Sequence, residues 1–296
     1  MIGISRENVS TLWQRPRRII PFLIRKYNYA TNDVTYNEDG VDIFEEDWDN
    51  LVILDACRYD YFQSESKLSG DTSFRFSRGA MSSEFITGNF ANKKVHDTIY
   101  VSANGFYPTL KDEINTEVYQ YIDLPRDAAD NITTHPETVT KAAIEANDDN
   151  PNKRLIIHYL QPHQPYIGEF GRSKFEFEGN LKDSMRKSQV TKEDVRTAYT
   201  ENLNIVLDEV AILNESLDGK TVVTADHGEM LGEKIGPFEL YGHFQGVYRD
   251  ELVKVPWHVL EYDSRRDIIA EEPVSDMVDL DDKELNQRLK DLGYKV

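Results

Sequence analysis

Apolar residues fall along this 296-residue chain in two kinds of pattern. Short apolar-rich runs stand at 51–54 (Leu51-Val52-Ile53-Leu54), 98–102, 155–159, 221–225 and 253–260. Runs of this length suit strands buried on both faces. Between them the spacing turns helical. The segment 136–146 opens on Pro136, a residue suited to a helix's first turn. In 192–213, Tyr199, Leu203, Val206, Val210 and Leu213 fall on one face. Thr191 and Asp194 are spaced as an N-terminal capping pair, and Asp218-Gly219 marks the stop. A last stripe, Leu285, Leu289 and Leu292 within 283–294, predicts a helix that docks on the body. Strands alternating with helices predict an α/β fold, a three-layer sandwich about a largely parallel central sheet.

The ends of the chain read differently. Residues 1–30 carry six basic side chains against one acid, Glu7, and include Leu12, Trp13, Phe22 and Tyr27. Residues 33–49 hold acids and no base, with Trp48 near their end. The expected division is a basic arm and acidic linker (1–47), a main domain (48–262) and a tail with the docking helix (263–296). A basic, aromatic-containing arm could make peripheral contact with an anionic membrane surface. Pro16 and Pro21 interrupt any long amphipathic helix, which favours an arm packed on its own acidic body. The net charge is -19, from 53 acidic and 34 basic residues. Such a field repels nucleic-acid phosphates, so no nucleic-acid partner is expected. The one cysteine, Cys57, excludes an intramolecular disulfide and reads as a buried small residue. No run approaches the roughly 20 apolar residues of a membrane span, and no basic-then-apolar leader opens the chain. A cytoplasmic location is the expectation, membrane-associated if the arm binds lipid.

Two strand ends carry suggestive chemistry. In open α/β sheets, functional side chains gather just past the C-terminal ends of strands. Asp55 follows 51–54, and Asp226-His227-Gly228-Glu229 follows 221–225. Asp and His together suit Zn, Mn or Mg, and Gly228 lets the backbone turn tightly beside an ion. An Asp after a strand is also a common helix N-cap, so neither element decides alone. In their order and spacing they resemble the alkaline phosphatase and sulfatase superfamily. Val52-Ile53-Leu54-Asp55 matches its first core strand and metal-binding Asp. Thr224-Ala225-Asp226-His227-Gly228-Glu229, running on to Glu233, matches its late motif almost residue for residue. Tyr241-Gly242-His243, Tyr248-Arg249-Asp250-Glu251 and Val255-Pro256 match the stretch that follows. The resemblance covers about 51–260. It implies an alkaline-phosphatase-like fold and one divalent metal ion (Mn, Zn, Mg or Ca) held by Asp55, Asp226, His227 and the nucleophile. It also implies chemistry on an anionic sulfate or phosphate ester, of a glycan or lipid head group.

The nucleophile is sought between Asp55 and the next strand, among Ser77, Ser82, Ser83 and Thr87. Gly79-Ala80-Met81-Ser82-Ser83-Glu84-Phe85 reads as a small-residue turn into a helix. A hydroxyl there meets backbone N–H groups that favour an alkoxide or a bound anion. Ser82 is preferred, with Ser83 next; the competing reading makes either a plain N-cap. The local pattern needed for a formylglycine nucleophile is missing, which points to phosphate esters, as in the phosphodiesterase and phosphoglycerol-transferase branches. Gln161-Pro162-His163-Gln164-Pro165-Tyr166 resembles the family's Pro-His-x-Pro-Tyr element. It implies that His163 donates to the substrate, with His243 as the late anion-contacting residue. His158 reads as a core histidine, and His96, His135 and His258 as structural or surface residues. Two other readings compete. One is a two-metal phosphoglycerate-mutase-like or nucleotide phosphodiesterase activity; the other is a catalytically silent relative that binds an anionic glycan.

Overall fold

A seven-stranded sheet stands where the apolar runs are. The structure is a computed structural model, and it describes residues 19–31, 34–127, 133–176 and 181–274. The strands are β1 (Asn50–Leu54), β2 (Gly70–Phe76), β3 (Lys94–Ser102), β4 (Glu117–Asp123), β5 (Arg154–Tyr159), β6 (Thr221–Thr224), β7 (Met230–Ile235), β8 (Phe238–Gly242) and β9 (Lys254–Leu260). The helices are α1 (Ile19–Thr31), α2 (Tyr59–Glu65), α3 (Ser82–Phe90), α4 (Phe106–Leu110), α5 (Pro136–Asp149), α6 (Glu169–Lys174), α7 (Leu181–Ser188), α8 (Lys192–Ser216) and α9 (Asp250–Val253). The sheet order is β2-β9-β6-β1-β5-β3-β4, and β7-β8 form a separate hairpin. Strands β6, β1, β5, β3 and β4 are mutually parallel, while β9 runs antiparallel to β6 and β2. The five expected strands are therefore present, four of them in the parallel centre. Strands β2, β4, β7 and β8 were not read from the sequence.

Alternation along the strands gives the three layers. Tyr100 of β3 lies in register with Ile156 of β5, so both point to one face. On that face Phe90 of α3 stacks on Tyr100 at 5.6 Å. Tyr159 of β5 points the other way, and its hydroxyl meets Thr140 of α5 at 2.8 Å. Helices α3 and α5 thus cover opposite faces. Helix α8 packs on α5, its buried stripe including Tyr199, Leu203, Val206, Val210 and Leu213 as the spacing predicts. Its N-terminus carries the expected capping box between Thr191 and Asp194. The central strands are buried on both sides, which explains their nearly unbroken apolar sequence.

The flanking segments pack on this sandwich. Trp48 and Ile43 are buried in its main core, and Asp49 receives both Arg265 and the Lys220 amide. In the 263–274 stretch, the Ile269 amide donates to Asn152 O and the Ile269 carbonyl accepts from Lys153 Nζ. Pro21 falls in the first described turn of α1, a position that proline tolerates. Pro16, the rest of the arm before Ile19, and the expected helix at 283–294 lie outside the described residues.

Candidate metal centre

Strands β1 and β6 are neighbours, with Ile53 opposite Thr224. Their C-terminal ends therefore lie side by side, and the chain continues from them as Asp55 and as Ala225-Asp226-His227. Helix α3 brings Ser82 to the same place as its first residue. Its N-cap is Met81, so capping the helix is not Ser82's role. The Ser82 hydroxyl donates to Asp226 Oδ2 at 2.7 Å and lies 3.5 Å from His227 Nε2. His227 Nε2 is also 3.5 Å from Asp55 Oδ1 and from Asp226 Oδ2. Asp55, Ser82, Asp226 and His227 are all fully buried. Ser77, another nucleophile candidate, is held elsewhere: its hydroxyl donates to the Asp226 carbonyl and accepts from the Gly79 amide.

The hydrogen bonds fix what each atom can do. His227 Nδ1 lies 2.8 Å from the Gly228 carbonyl, which can only accept, so Nδ1 carries the proton and Nε2 presents a lone pair. Asp226 Oδ1 accepts from the Ala56 and His227 amides at 3.1 and 2.9 Å. Asp55 Oδ2 accepts from Asn104 Nδ2 at 2.9 Å, but Asp55 Oδ1 has no hydrogen-bond donor. An imidazole lone pair and an unpaired carboxylate oxygen thus face each other at 3.5 Å in a dry site. That arrangement is unfavourable unless a metal ion, or a proton on the carboxyl, lies between them. The 3.5 Å separations approach the roughly 3.4 Å edge of a tetrahedron with bonds of about 2.1 Å. The residues therefore fit a divalent ion bound by three oxygens and one nitrogen.

Electrostatics point the same way. Burial, and then the charge of Asp226, push the Asp55 carboxyl well above the usual range. Burial works against the Asp226 carboxylate too, but His227, His158 and the Ser82 and Ala56 hydrogen bonds outweigh it and lower its pKa. Burial lowers His227, which keeps its ring neutral and able to bind metal.

Three neighbours were not anticipated. Asn104, just past β3, donates from Nδ2 to both Asp55 Oδ2 and Ser82 Oγ, at 2.9 and 3.0 Å. Its signal was the same as that of Asp55, a polar residue at a parallel strand end, but a lone Asn there is not distinctive. His158 was read as a core histidine. It is buried and meets the Tyr100 hydroxyl at 2.8 Å, yet its Nε2 lies 3.7 Å from Asp226 Oδ2, and with Asp55 and Asp226 it could hold an ion. Glu229, read only as part of the motif, is buried with Oε1 3.3 Å from His243 Nδ1. Glu229, His163 and His243 bring ligand atoms within 4.8 Å of one another, a second group able to hold a cation.

His163 and His243 lie close to His227. The rings of His227 and His243 are 4.5 Å apart, and those of His163 and His243 5.3 Å. His163 Nδ1 lies 2.5 Å from the Gln164 carbonyl, so in the neutral ring Nε2 has a lone pair and no proton to donate. Burial lowers both His163 and His243 to about 4, and raises Glu229 to about 7. Cys57 is buried in the main core, as expected. His96, His135 and His258 lie apart from the centre, at Glu117, the N-cap of α5 and Thr72.

No family model matches the chain, and no curated protein does. Among solved structures it is similar to the C-terminal periplasmic domain of a phosphoethanolamine transferase from Campylobacter jejuni (17% identity, TM-score 0.48, 71% of this chain and 77% of that one). A second is the corresponding Escherichia coli domain in complex with Zn (16%, 0.48, 75% of each chain). A third is a protein in the alkaline phosphatase superfamily from Vibrio parahaemolyticus (12%, 0.43, 86% and 70%).

Proposed function

We propose that the chain is a metal-dependent phosphoester transferase or hydrolase with Ser82 as its nucleophile. One observation carries this reading: the Ser82 hydroxyl, at the start of α3, donates to Asp226 beside an unpaired Asp55 oxygen and the bare His227 Nε2. A divalent ion held by Asp55, Ser82, Asp226 and His227 would supply positive charge that favours the serine alkoxide and offsets charge on the phosphoryl oxygens.

The chain's own groups do the rest. Ser82 Oγ attacks phosphorus and the bond to the leaving alcohol breaks. Asp226 Oδ2, to which the hydroxyl donates, aims Ser82 Oγ; with its pKa lowered it is a poor base, and the serine proton leaves to solvent as the alkoxide forms. Asn104 Nδ2 steadies Ser82 Oγ during the attack. His163 and His243 face the phosphoryl oxygens and the leaving group. His163 donates from Nε2 only when protonated, which an anionic substrate favours. Water, or an acceptor alcohol, then attacks the phosphoserine and regenerates Ser82.

The substrate head group is proposed to be lipid-linked. Helix α1 supports this: Leu23 and Tyr27 are 57% and 69% exposed on its outer side, beside Lys26, which lies over Phe22. This is the composition of a helix that rests on an anionic lipid surface. No described helix is long and apolar enough to cross a membrane.

The deciding experiment is a panel of aryl sulfate, phosphate monoester and phosphate diester, run with Mn, Zn, Mg and Ca. Metal-dependent turnover of a phosphate ester with a mass shift on Ser82 is expected. Turnover of the sulfate alone, or an adduct that persists in Ser82→Ala, overturns the assignment. Co-sedimentation with phosphatidylglycerol vesicles, lost in Leu23→Glu/Tyr27→Glu, tests the lipid contact.

A further inference from the structure

Glu84 is a buried acid, 2% exposed, and among the described residues none of its hydrogen-bond partners is a cation. Its carboxylate gathers donors from separate stretches of chain. The Ala80 amide donates to Oε2 at 2.9 Å, two residues before Ser82. The Gly246 amide donates to Oε1 at 2.8 Å, three residues after His243. The Tyr29 hydroxyl, from α1, donates to the same oxygen in a short hydrogen bond, and the Tyr248 hydroxyl lies 3.5 Å away.

Helix α1 holds that loop from the other side. Asn28 Nδ2 donates to the Gly246 carbonyl at 2.7 Å, and Arg25 to Gln245 Oε1 at 3.1 Å. The Gly246 peptide is therefore gripped at both ends, its N–H by Glu84 and its C=O by α1. Gly246 has φ +70, and a Cβ there would sit 2.6 Å from Arg25 Cγ, so the contact requires glycine. Burying an acid with only neutral donors is costly compared with a well-packed apolar side chain. What the acid provides is a common anchor for the turn before Ser82 and the loop after His243.

We propose that Glu84 is a positioning residue that holds Ser82 and His243 in register, and that α1 acts on the reaction centre through it. This rests on the reading of Ser82 as nucleophile in a metal site. The inference links the surface proposed to meet lipid with the group proposed to react, because Asn28 and Tyr29 lie one and two residues beyond Tyr27 on the same short helix.

The test compares full-length wild type with Tyr29→Phe, Glu84→Gln and the double variant. Each is assayed for kcat and KM on bis(p-nitrophenyl) phosphate, for metal content, and for the visible spectrum of the Co(II) form. Displacing a reacting group by about 1 Å can cost roughly 100-fold. Glu84→Gln should therefore lose about 10- to 100-fold in kcat, and Tyr29→Phe a smaller part of that. KM and metal content should stay within about twofold, below the melting temperature. The double variant should match Glu84→Gln alone, since Tyr29 acts through Glu84. Additive losses, or full kcat in Glu84→Gln, would overturn the inference. If wild type turns over no ester, the Co(II) bands decide: a shift in both single variants supports positioning, and unchanged bands overturn it. A wild type with no Co(II) bands would overturn the metal site and this inference together.

Discussion

Replacing Asp55 by Asn should stabilise the protein without metal and destabilise it with metal. Asp55 Oδ2 keeps its donor from Asn104 in the variant, because the new amide can present its carbonyl oxygen there. The NH2 then takes the place of Oδ1, which has no donor and lies 3.5 Å from the His227 Nε2 lone pair. An unpaired buried acceptor becomes a donor facing an acceptor. Relief of one unsatisfied buried group is worth about 1–3 kcal/mol. At about 2–4 °C per kcal/mol, the chelated variant should melt roughly 2–12 °C above chelated wild type. With metal at about 1,000 times its dissociation constant, wild type gains about 4.1 kcal/mol and the variant little, so the order reverses. Burial raises the folded-state pKa of Asp55, so towards lower pH the carboxyl regains a proton that Oδ1 can donate to His227 Nε2, and the gain from Asn shrinks there. Chelated wild type should therefore lose stability as pH rises above the unfolded value of about 3.9, and the variant should lack that slope. Scanning calorimetry in chelator and in excess Zn or Mn reads both orders. If chelated Asp55→Asn melts below chelated wild type, the unpaired carboxylate is not the defect that the geometry describes, and the cation site falls with it.

Other outcomes follow from the same contacts. Asp226→Ala should abolish metal binding by elemental analysis together with all turnover; full activity would sink the site. Asn104→Ala removes the donor shared by Asp55 and Ser82 and should cost about 10- to 100-fold in kcat or metal affinity, read by steady-state kinetics and metal titration. Arg265→Ala strips the paired hydrogen bonds at 2.6 and 2.9 Å from buried Asp49. With Arg265 itself partly exposed, the loss should be about 1–2 kcal/mol by urea denaturation. Burial works against the Asp49 carboxylate, but Arg265 and the Lys220 amide outweigh it and lower its pKa. Its contribution is thus present above pH about 4 and fades as pH falls below that, so Arg265→Ala should flatten the acid limb of the stability curve.

What the sequence discloses depends on burial. Strands β1, β5 and β6 are enclosed on both faces, so their apolar runs stand out. Strand β2 lies at the sheet's edge and is almost wholly exposed, so Gly70–Phe76 shows no apolar pattern. Strand β4, at the other edge, is mostly half-buried and reads as mixed. The proposed metal ligands were legible because strand ends and a local motif mark Asp55, Asp226 and His227. Ser82 was legible as a hydroxyl at a predicted helix start. Asn104 and Glu84 bond to partners far along the chain, at Asp55 and Gly246, and nothing in their own neighbourhoods announces that. Pro21 shows that a proline's effect depends on position: mid-helix it breaks the ladder, but in the first turn it does not.

The proposed ligand set has a further consequence for how the protein is made. Ser82 and Asp226 are 144 residues apart, and Ala56, whose amide braces Asp226, is 170 residues from it. Strand β6 must dock beside β1, the sheet's central strand, before the four ligands converge. An ion can therefore be captured only late, once the longest loop closures have been made. A chain still emerging from synthesis, with β6 not yet formed, has no site to load. Metal occupancy then reports completed folding, and slow acquisition of the ion would time the last step of assembly rather than the first.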